Sequence, residues 1–116
     1  MSEKQQKTLH KEQQFTARSG QLITCGTITM NLTDRVVCRN GTSIHLAPLE
    51  YKLLVFFLQN PNKVHTREEL LRVVWESQSS LATRTVDIHI SSLRRKLHLE
   101  KNIRTVPTIG YMLRIP

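Results

Sequence analysis

Residues 84–97 read RTVDIHISSLRRKL. Apolar side chains recur in this segment at spacings of four, three and four residues: Val86, Ile90, Leu93 and Leu97. At about 100° per residue, they share one stripe of an α-helix. The opposite side then carries mainly basic and hydroxyl-bearing residues: Arg84, Thr85, Ile88, Ser91, Ser92, Arg95 and Lys96. The segment therefore predicts an amphipathic helix whose exposed face is basic and nearly free of acid.

The chain as a whole is also basic. Its 116 residues contain 17 Lys and Arg against nine Asp and Glu, which gives a formal net charge of +8. Nine of these basic residues and five of the acidic ones lie in 64–116. Such a surplus on a small protein favours phosphate-rich partners, nucleic acid first and an anionic membrane surface second. The length allows one domain and excludes a large multidomain enzyme.

The first 20 residues differ in composition from the rest. The N-terminal stretch MSEKQQKTLHKEQQ is rich in Gln and Lys, and it lacks the hydrophobic segment of a secretory signal. Burial of so few apolar side chains cannot offset the conformational entropy that is lost on ordering. We therefore predict that 1–20 is a flexible linker or tail and that 21–116 forms the domain. Because no apolar run approaches the roughly 20 residues that a bilayer requires, the chain is predicted to be cytoplasmic.

The first half of the domain has the pattern of a small antiparallel sheet. Short apolar segments alternate with turn-prone pairs, and the predicted strands are 22–25, 28–32, 36–39 and 43–46. Asn40-Gly41 is the sharpest turn signal, because a type I′ turn needs positive φ at both central residues.

Two more helices precede residues 84–97. Pro48 suits the first turn of a helix that continues with apolar residues at helical spacing and stops at Asn60-Pro61. The next helix begins at Thr66, where Thr66 and Glu69 have the spacing of a capping box, and it ends near Trp75.

The C-terminal residues are predicted to form a β-hairpin. The polar stretch 76–83 is a loop, and strands over 103–106 and 111–115 flank a turn that contains Pro107 and Gly110. Three helices followed by a hairpin give an α+β fold with the layout of a winged helix-turn-helix. A major groove about 12 Å wide admits one helix, so the basic face of 84–97 is placed to reach phosphates and base edges.

The sequence offers no catalytic or metal-binding arrangement, and no cofactor or enzymatic activity is predicted. Its five histidines lack metal-ligand spacing: His10, His45, His65, His89 and His98. Asp87 is expected to offset nearby bases or to accept a hydrogen bond, and Tyr111 to lie in the hairpin core. Cys25 and Cys38 are too few for a disulfide framework and are expected as buried, reduced thiols in strands.

Several blocks of sequence resemble the effector domain of OmpR/PhoB-type response regulators. The matching blocks are 46–54 (LAPLEYKLL), 66–71 (TREELL) with Val74 and Trp75, 84–90 (RTVDIHI), 93–97 (LRRKL), and 103–106 (IRTV) with Gly110 and Tyr111. They occur in the family's order and cover roughly 21–115.

The resemblance implies a role. Members have a four-stranded sheet, three helices and a wing, and they bind direct-repeat double-stranded DNA as tandem dimers to regulate transcription. Residues 84–97 would enter the major groove, with the wing 103–115 beside them. Matching positions that face or flank DNA are Arg84, Thr85, Ile88, His89, Ser91, Ser92, Arg94, Arg95 and Lys96, with Arg67, Trp75 and Thr105 holding the backbone. The loop 76–83 matches the segment that contacts RNA polymerase in relatives.

The chain departs from the family at several positions. Ser91 and Ser92 stand where relatives often have basic residues, and Glu76 stands where a glycine commonly follows the tryptophan. Pro107 occupies the place of a basic residue that some relatives insert into the minor groove, which weighs against minor-groove reading. Relatives usually carry a phosphorylatable receiver domain before this one, so we hypothesise that the chain is a DNA-binding fragment of a longer regulator, the alternative being a stand-alone regulator.

Two other functions compete with DNA binding. In the first, the winged helix fold is kept and the basic helix docks on an acidic protein partner, which Ser91, Ser92 and Pro107 favour. In the second, the domain binds RNA, although no aromatic pair is placed for stacking of bases.

Overall fold

The computed structural model describes residues 22–76 and 83–116. Within these ranges the elements are β1 (Leu22–Cys25), β2 (Ile28–Asn31), β3 (Val36–Arg39), β4 (Thr42–Ile44), α1 (Pro48–Gln59), β5 (His65–Thr66), α2 (Arg67–Val73), α3 (Thr83–Leu97), β6 (Ile103–Val106) and β7 (Gly110–Leu113). The predicted tail 1–20 and residues 77–82 of the predicted polymerase-contact loop lie outside the described residues. The chain divides into two compact units, Met1–His45 and Leu46–Pro116.

The described part of the first unit is an antiparallel sheet with strand order β1-β2-β3-β4. Asn40 and Gly41 join β3 to β4 with φ values of 54° and 83°, as the predicted type I′ turn requires. The fourth strand pairs Thr42 with Arg39 and ends at Ile44, so it starts one residue earlier and ends two earlier than the predicted 43–46.

Burial alternates along β2 but not along β1, where Thr24 is buried as well, and the apolar side chains of the sheet share one face. The buried apolar residues of this sheet are Ile23, Cys25, Ile28, Met30 and Val37. Both cysteines are free thiols in strands, but the predicted burial is confirmed for Cys25 and wrong for Cys38. Cys25 is buried, and burial raises the pKa of its thiol, whereas Cys38 is only half-buried.

Helix α1 has the predicted bounds, and both its ends are hydrogen-bonded. Pro48 occupies the first turn, where its missing N–H leaves no bond unmade. The amide of Ala47 donates to Oε1 of Glu50 at 2.9 Å. At the other end, Nδ2 of Asn60 donates to the carbonyl of Phe56 at 2.9 Å.

The start of α2 confirms half of the predicted capping box. The amide of Glu69 donates to Oγ1 of Thr66 at 3.0 Å. The carboxylate of Glu69 instead lies 3.1 Å from Nδ1 of His65, and Nε2 of the same ring lies 3.2 Å from the carbonyl of Asn60. The buried His65 thus joins the end of α1 to the start of α2.

The core of the second unit forms around the predicted apolar stripe of α3. Val86, Ile90, Leu93 and Leu97 are each at most 1% exposed. Other fully buried side chains of this unit come from the two helices before it and from the hairpin: Leu53, Leu54, Phe57, Leu70, Leu71, Ile103 and Leu113. Burial of each such side chain contributes about 1.5–3 kcal/mol, so this core fixes which face of α3 turns outward.

The wing is a hairpin of β6 and β7, as predicted. Its second strand runs from Gly110 to Leu113 and not over 111–115. The sequence did not predict that β7 also pairs with β5, a strand of only two residues, through Thr66↔Gly110. A Cβ at position 110 would lie 1.9 Å from the carbonyl oxygen of His65, so this pairing requires glycine.

Candidate nucleic-acid interface

Four side chains form an outward stripe on α3. Arg84, Ile88, Ser91 and Arg95 are all exposed and are spaced by four, three and four residues, so they lie along one line on the helix. Ile88 is 64% exposed, the largest value among the exposed large apolar residues of the described chain. The outward stripe therefore combines two guanidinium groups with one apolar and one hydroxyl side chain.

One flank of α3 is held against α1 by a buried carboxylate. Nζ of Lys96 lies 2.8 Å from Oε1 of Glu50, and Oγ of Ser92 donates to Oε2 of the same residue. The side chain of Glu50 is only 8% exposed, against 32% for Lys96. Burial raises the pKa of the Glu50 carboxyl, but its hydrogen bonds outweigh burial and hold that pKa below its ordinary value.

Farther toward the start of α3, this flank meets the end of α2. Nδ1 of His89 lies 2.9 Å from the main-chain carbonyl of Thr85, one turn earlier. The ring of Trp75 packs perpendicular to the imidazole, with the two centroids 5.0 Å apart. Both rings are half-buried, so together they form a shoulder beside the outward stripe.

The other flank of α3 is joined to the wing by Arg94. Its Nε and Nη2 donate to the carbonyl of Ile103 at 3.0 and 2.7 Å, and Nη2 also donates to Oγ1 of Thr105 at 2.8 Å. The guanidinium carbon lies 5.6 Å from the centroid of the Tyr111 ring. Arg94 thus ties α3 to both strands of the hairpin.

Asp87 links α2, α3 and the wing. It accepts from Nε of Arg67 at 2.8 Å and from the hydroxyl of Tyr111. Burial raises the pKa of Asp87, but these bonds outweigh burial and lower it. Burial and the neighbouring carboxylate raise the pKa of Tyr111. The prediction that Asp87 accepts hydrogen bonds is confirmed, as is the burial of Tyr111 in the hairpin.

The residues predicted to face or flank DNA fall into three groups. The outward group is Arg84, Ile88, Ser91 and Arg95. The flank beside α1 and the end of α2 holds Thr85, His89, Ser92, Lys96 and Trp75. The flank beside the wing holds Arg67, Arg94 and Thr105.

Three residues that the sequence placed on the exposed face of α3 are only partly exposed. Thr85, Ser92 and Lys96 are half-buried, because their helical positions turn them toward the neighbouring helices. Sequence reasoning also missed Glu50 as the group that holds this flank. Its place three residues after Ala47, in the first turn of α1, was the available signal.

Two further observations concern other kinds of site. Across 22–76 and 83–116, no three His, Cys, Asp or Glu side chains come together as a metal ion would require. In the same ranges, no helix combines the length and apolar composition needed to span a membrane.

Comparison with known proteins shows which family has this arrangement of helices and wing. The family described as transcriptional regulatory protein, C terminal, matches residues 41–113. The chain belongs to this family. Among solved structures similar to this effector domain is DrrB of Thermotoga maritima, an OmpR/PhoB homolog that is 34% identical, with a TM-score of 0.70 and coverage of 80% of this chain and 44% of DrrB. The predicted OmpR/PhoB-type fold is confirmed.

Two other relatives extend the comparison. The transcriptional regulatory protein TrcR of Mycobacterium tuberculosis is 41% identical over 93 residues, which cover 78% of this chain and 36% of TrcR. The DNA-binding domain of Klebsiella pneumoniae RstA, solved in complex with the RstA box, is 26% identical with a TM-score of 0.73, covering 80% of this chain and 96% of that one. The chain thus spans well under half the length of TrcR and nearly all of an isolated DNA-binding domain.

Proposed function

We propose that this effector domain regulates transcription by binding double-stranded DNA with α3 in the major groove and the wing beside it. The observation that carries the proposal is the outward stripe: Arg84, Ile88, Ser91 and Arg95 project from a helix whose opposite side is buried. A helix with its side chains is about 10–12 Å across, which matches a major groove about 12 Å wide.

The outward stripe has the chemistry that such a groove presents. The guanidinium group of arginine binds guanine edges or phosphate oxygens. An apolar side chain such as Ile88 fits against a thymine methyl group. Ser91 is short and both donates and accepts hydrogen bonds. We expect Arg84 and Arg95 to supply charge, with Ile88 and Ser91 between them at base edges.

The flanks of α3 would then face the two phosphate backbones that line the groove. Arg94 uses three N–H bonds on the wing, and a guanidinium has five donors, so its Nη1 group remains for a phosphate. Arg67 is held by one bond, from its Nε to the carboxylate of Asp87. Lys96 is turned to Glu50, so its main role is to hold α3 in place.

The proposal also concerns the full-length regulator to which this domain would belong. Since the chain spans 36% of TrcR, we expect a receiver domain elsewhere in the full-length protein. Dimers on direct-repeat operators, a contact of RNA polymerase with the loop 76–83, and action in the cytoplasm belong to the same proposal. We assign the domain no enzymatic activity.

Selection of duplexes from a random library of about 30 base pairs, at moderate salt, tests the function directly. Enrichment of tandem half-sites about one helical turn apart is expected. Binding without enrichment would leave only a charge-driven contact, and preference for single-stranded RNA would favour RNA binding. Absence of binding to either nucleic acid would overturn the proposal in favour of an acidic protein partner.

A pair of variants then tests the outward stripe. Arg95→Ala is expected to weaken binding to the selected duplex and to make the salt slope shallower by about 0.9, the value for one lost phosphate contact. Lys63→Ala is the matched control, because it removes one charge at an exposed position between α1 and β5. Equal affinities and slopes for both variants would show that the stripe is not the binding surface.

A further inference from the structure

Strands β5, β7 and β6 form one sheet, the wing sheet, and α3 contacts its inner face. β6 and β7 pair Ile103 with Leu113 and Arg104 with Met112. Successive side chains of a strand point to opposite faces of its sheet. Since Ile103 and Leu113 are fully buried on the inner face, Arg104 and Met112 lie side by side on the outer face.

The outer face combines apolar and basic side chains. The same alternation adds the residues two positions beyond Arg104 and Met112, and the residue before the buried His65. The outer face therefore consists of Val64, Arg104, Val106, Met112 and Arg114. Val64 is 44% exposed, the other two apolar residues are half-buried, and both arginines are exposed.

The charges of Arg104 and Arg114 are not used within the fold. Among residues 22–76 and 83–116, neither guanidinium group takes part in a hydrogen bond or an ion pair. Arg67 and Arg94, by contrast, are bonded to protein groups. Residues 101–116 contain three basic residues and no Asp or Glu. The outer face therefore presents positive charge that its own strands do not offset.

This composition fits a protein partner better than a nucleic acid. Exposed apolar side chains bordered by charged ones mark protein interaction sites, where Met and Arg are both enriched. A nucleic acid bound without sequence preference relies on aromatic side chains on which its bases stack. The aromatic residues of the three strands, His65 and Tyr111, are buried on the inner face. The outer face thus has no aromatic side chain for stacking.

A second copy of this chain is disfavoured as the partner because of its charge. With a formal net charge of +8, it would bring like charges together at the outer face. The face therefore fits an occupant of opposite charge.

We propose that the outer face of the wing sheet binds an acidic segment of another protein, with carboxylates at its two arginines and an aliphatic side chain over Val64 and Met112. A planar guanidinium group pairs two N–H groups with the two oxygens of a carboxylate. The flexible side chain of Met112 adapts its shape to an apolar partner.

The spacing of the two arginines indicates the pattern of the partner segment. Arg104 and Arg114 are diagonal neighbours across the β6–β7 pairing, at a separation of about 7–8 Å. In an extended segment, residues two positions apart point to the same side and lie about 7 Å apart. We therefore expect Asp or Glu at two positions separated by one residue, with an aliphatic residue close to them.

DNA binding by α3 leaves the outer face open. Arg94 on α3 donates to Ile103 and Thr105 from the inner face, so the outer face points away from that helix. A partner can bind there while α3 lies in the major groove. The inference thus goes beyond the proposed function and does not rest on it.

Peptide selection tests which ligands the outer face prefers. A phage-displayed library of random peptides of about 12 residues, long enough to cross the sheet, is selected against the full 116-residue chain at moderate salt. Enrichment is expected for Asp or Glu at positions separated by one residue, next to Leu, Ile or Val. The enriched peptides are then synthesised with a fluorescent label, and anisotropy gives their Kd for each protein variant.

Arg104→Gln tests the charge of the outer face. It is expected to raise the Kd about two- to fivefold, the range of one exposed ion pair, and to make binding less dependent on salt. Arg72→Gln is the matched control, because it removes the same charge from an exposed position on α2 and is expected to leave the Kd unchanged.

Val64→Thr tests the apolar contact. It replaces a methyl group by a hydroxyl with little change of shape, and it is expected to raise the Kd about fourfold, as the loss of one buried methylene-sized group would. Val73→Thr is the matched control, since Val73 on α2 is 45% exposed, against 44% for Val64. Circular dichroism confirms that all four variants stay folded.

The outcomes decide whether the outer face has this partner. Acidic peptides that lose affinity in Arg104→Gln and Val64→Thr, and keep it in both controls, support the inference. Selection without enrichment of acidic peptides, or equal losses in the variants and their controls, overturns it.

Two further results would overturn the inference by assigning the outer face to another occupant. Sedimentation that shows dimers of the wild type, abolished by Val64→Thr, would assign it to a second copy. A larger loss of affinity for duplex DNA in Arg104→Gln than in Arg72→Gln would assign it to nucleic acid. Failure of the wild type to bind duplex DNA would overturn only the proposed function.

Discussion

Lys96 on α3 and Glu50 on α1 form an ion pair of 2.8 Å in which the carboxylate is nearly buried and the ammonium is one-third exposed. The same carboxylate accepts from the amide of Ala47 and from the hydroxyl of Ser92. One side chain thus caps α1 and holds the flank of α3. The basic Lys96, which by its position on the helix resembles a DNA contact, sets the orientation of the helix.

Replacement of Glu50 tests this arrangement. Glu50→Gln keeps the shape but removes the charge that Lys96 and Ser92 face, and we expect the free energy of unfolding to fall by about 1–2 kcal/mol at pH 7. Urea denaturation measures the change. Glu68→Gln, at an exposed position on α2, is the control and is expected to change stability by less than about 0.5 kcal/mol.

The pH dependence of the same variant is a sharper test. Because the pKa of Glu50 is lowered in the folded state, its contribution is complete above the ordinary carboxyl range near pH 4.3 and is lost as pH falls through the lowered folded value. The stability difference between wild type and Glu50→Gln should therefore shrink between about pH 5 and pH 3. A difference that stays constant over this range would contradict the assigned role.

Local patterns in the sequence were sufficient for the three helices and for most strands of the fold, although not for β5 or for the bounds of β4 and β7. The spacing of Val86, Ile90, Leu93 and Leu97 gave the buried stripe of α3, and positive φ at Asn40-Gly41 follows from turn chemistry. These features depend on residues that are close along the chain, so periodicity and turn preferences reveal them.

Such local patterns could not predict the partners of the side chains on the flanks of α3. Tyr111 meets Asp87 across 24 positions, and Lys96 meets Glu50 across 46. Each pair depends on the angle at which two elements pack, which helical periodicity leaves undetermined. The pairing of His65 with Tyr111 was missed for a related reason, since a strand of two residues has no alternation to detect.

Arg94 provides a second prediction, because substitution can separate the hydrogen bonds of its guanidinium group from its charge. Arg94→Lys keeps the charge but loses the paired bonds to Ile103 and Thr105. We expect it to lower the free energy of unfolding by about 1–2 kcal/mol and to cost nearly as much as Arg94→Ala. Denaturation of both variants measures this, with Arg95→Lys as the control on the outward stripe. Full retention of stability by Arg94→Lys would mean that only its charge matters.

Gly110 provides a third prediction. A Cβ there would lie 1.9 Å from the carbonyl oxygen of His65, and neither backbone can move without breaking the pairing of β5 with β7. Gly110→Ala is expected to cost at least about 3 kcal/mol, measured by urea denaturation. Gly41→Ala is the control: its φ is +83° with nothing within 4 Å, so only backbone strain of about 1 kcal/mol is expected. Equal losses for the two variants would refute the close approach.

Glu76 provides the last prediction, at the position where relatives commonly have glycine. It has φ of 57°, a left-handed conformation that costs about 1 kcal/mol for a residue with a Cβ. Its 4.0 Å contact with Lys52 is exposed and contributes little. Glu76→Gly should therefore stabilise the protein by about 0.5–1 kcal/mol, seen as a rise of several degrees in Tm. Glu68→Gly, inside α2, should instead destabilise by about 1 kcal/mol. If Glu76→Gly also lowered Tm, this glutamate would stabilise the end of α2 in spite of its backbone strain.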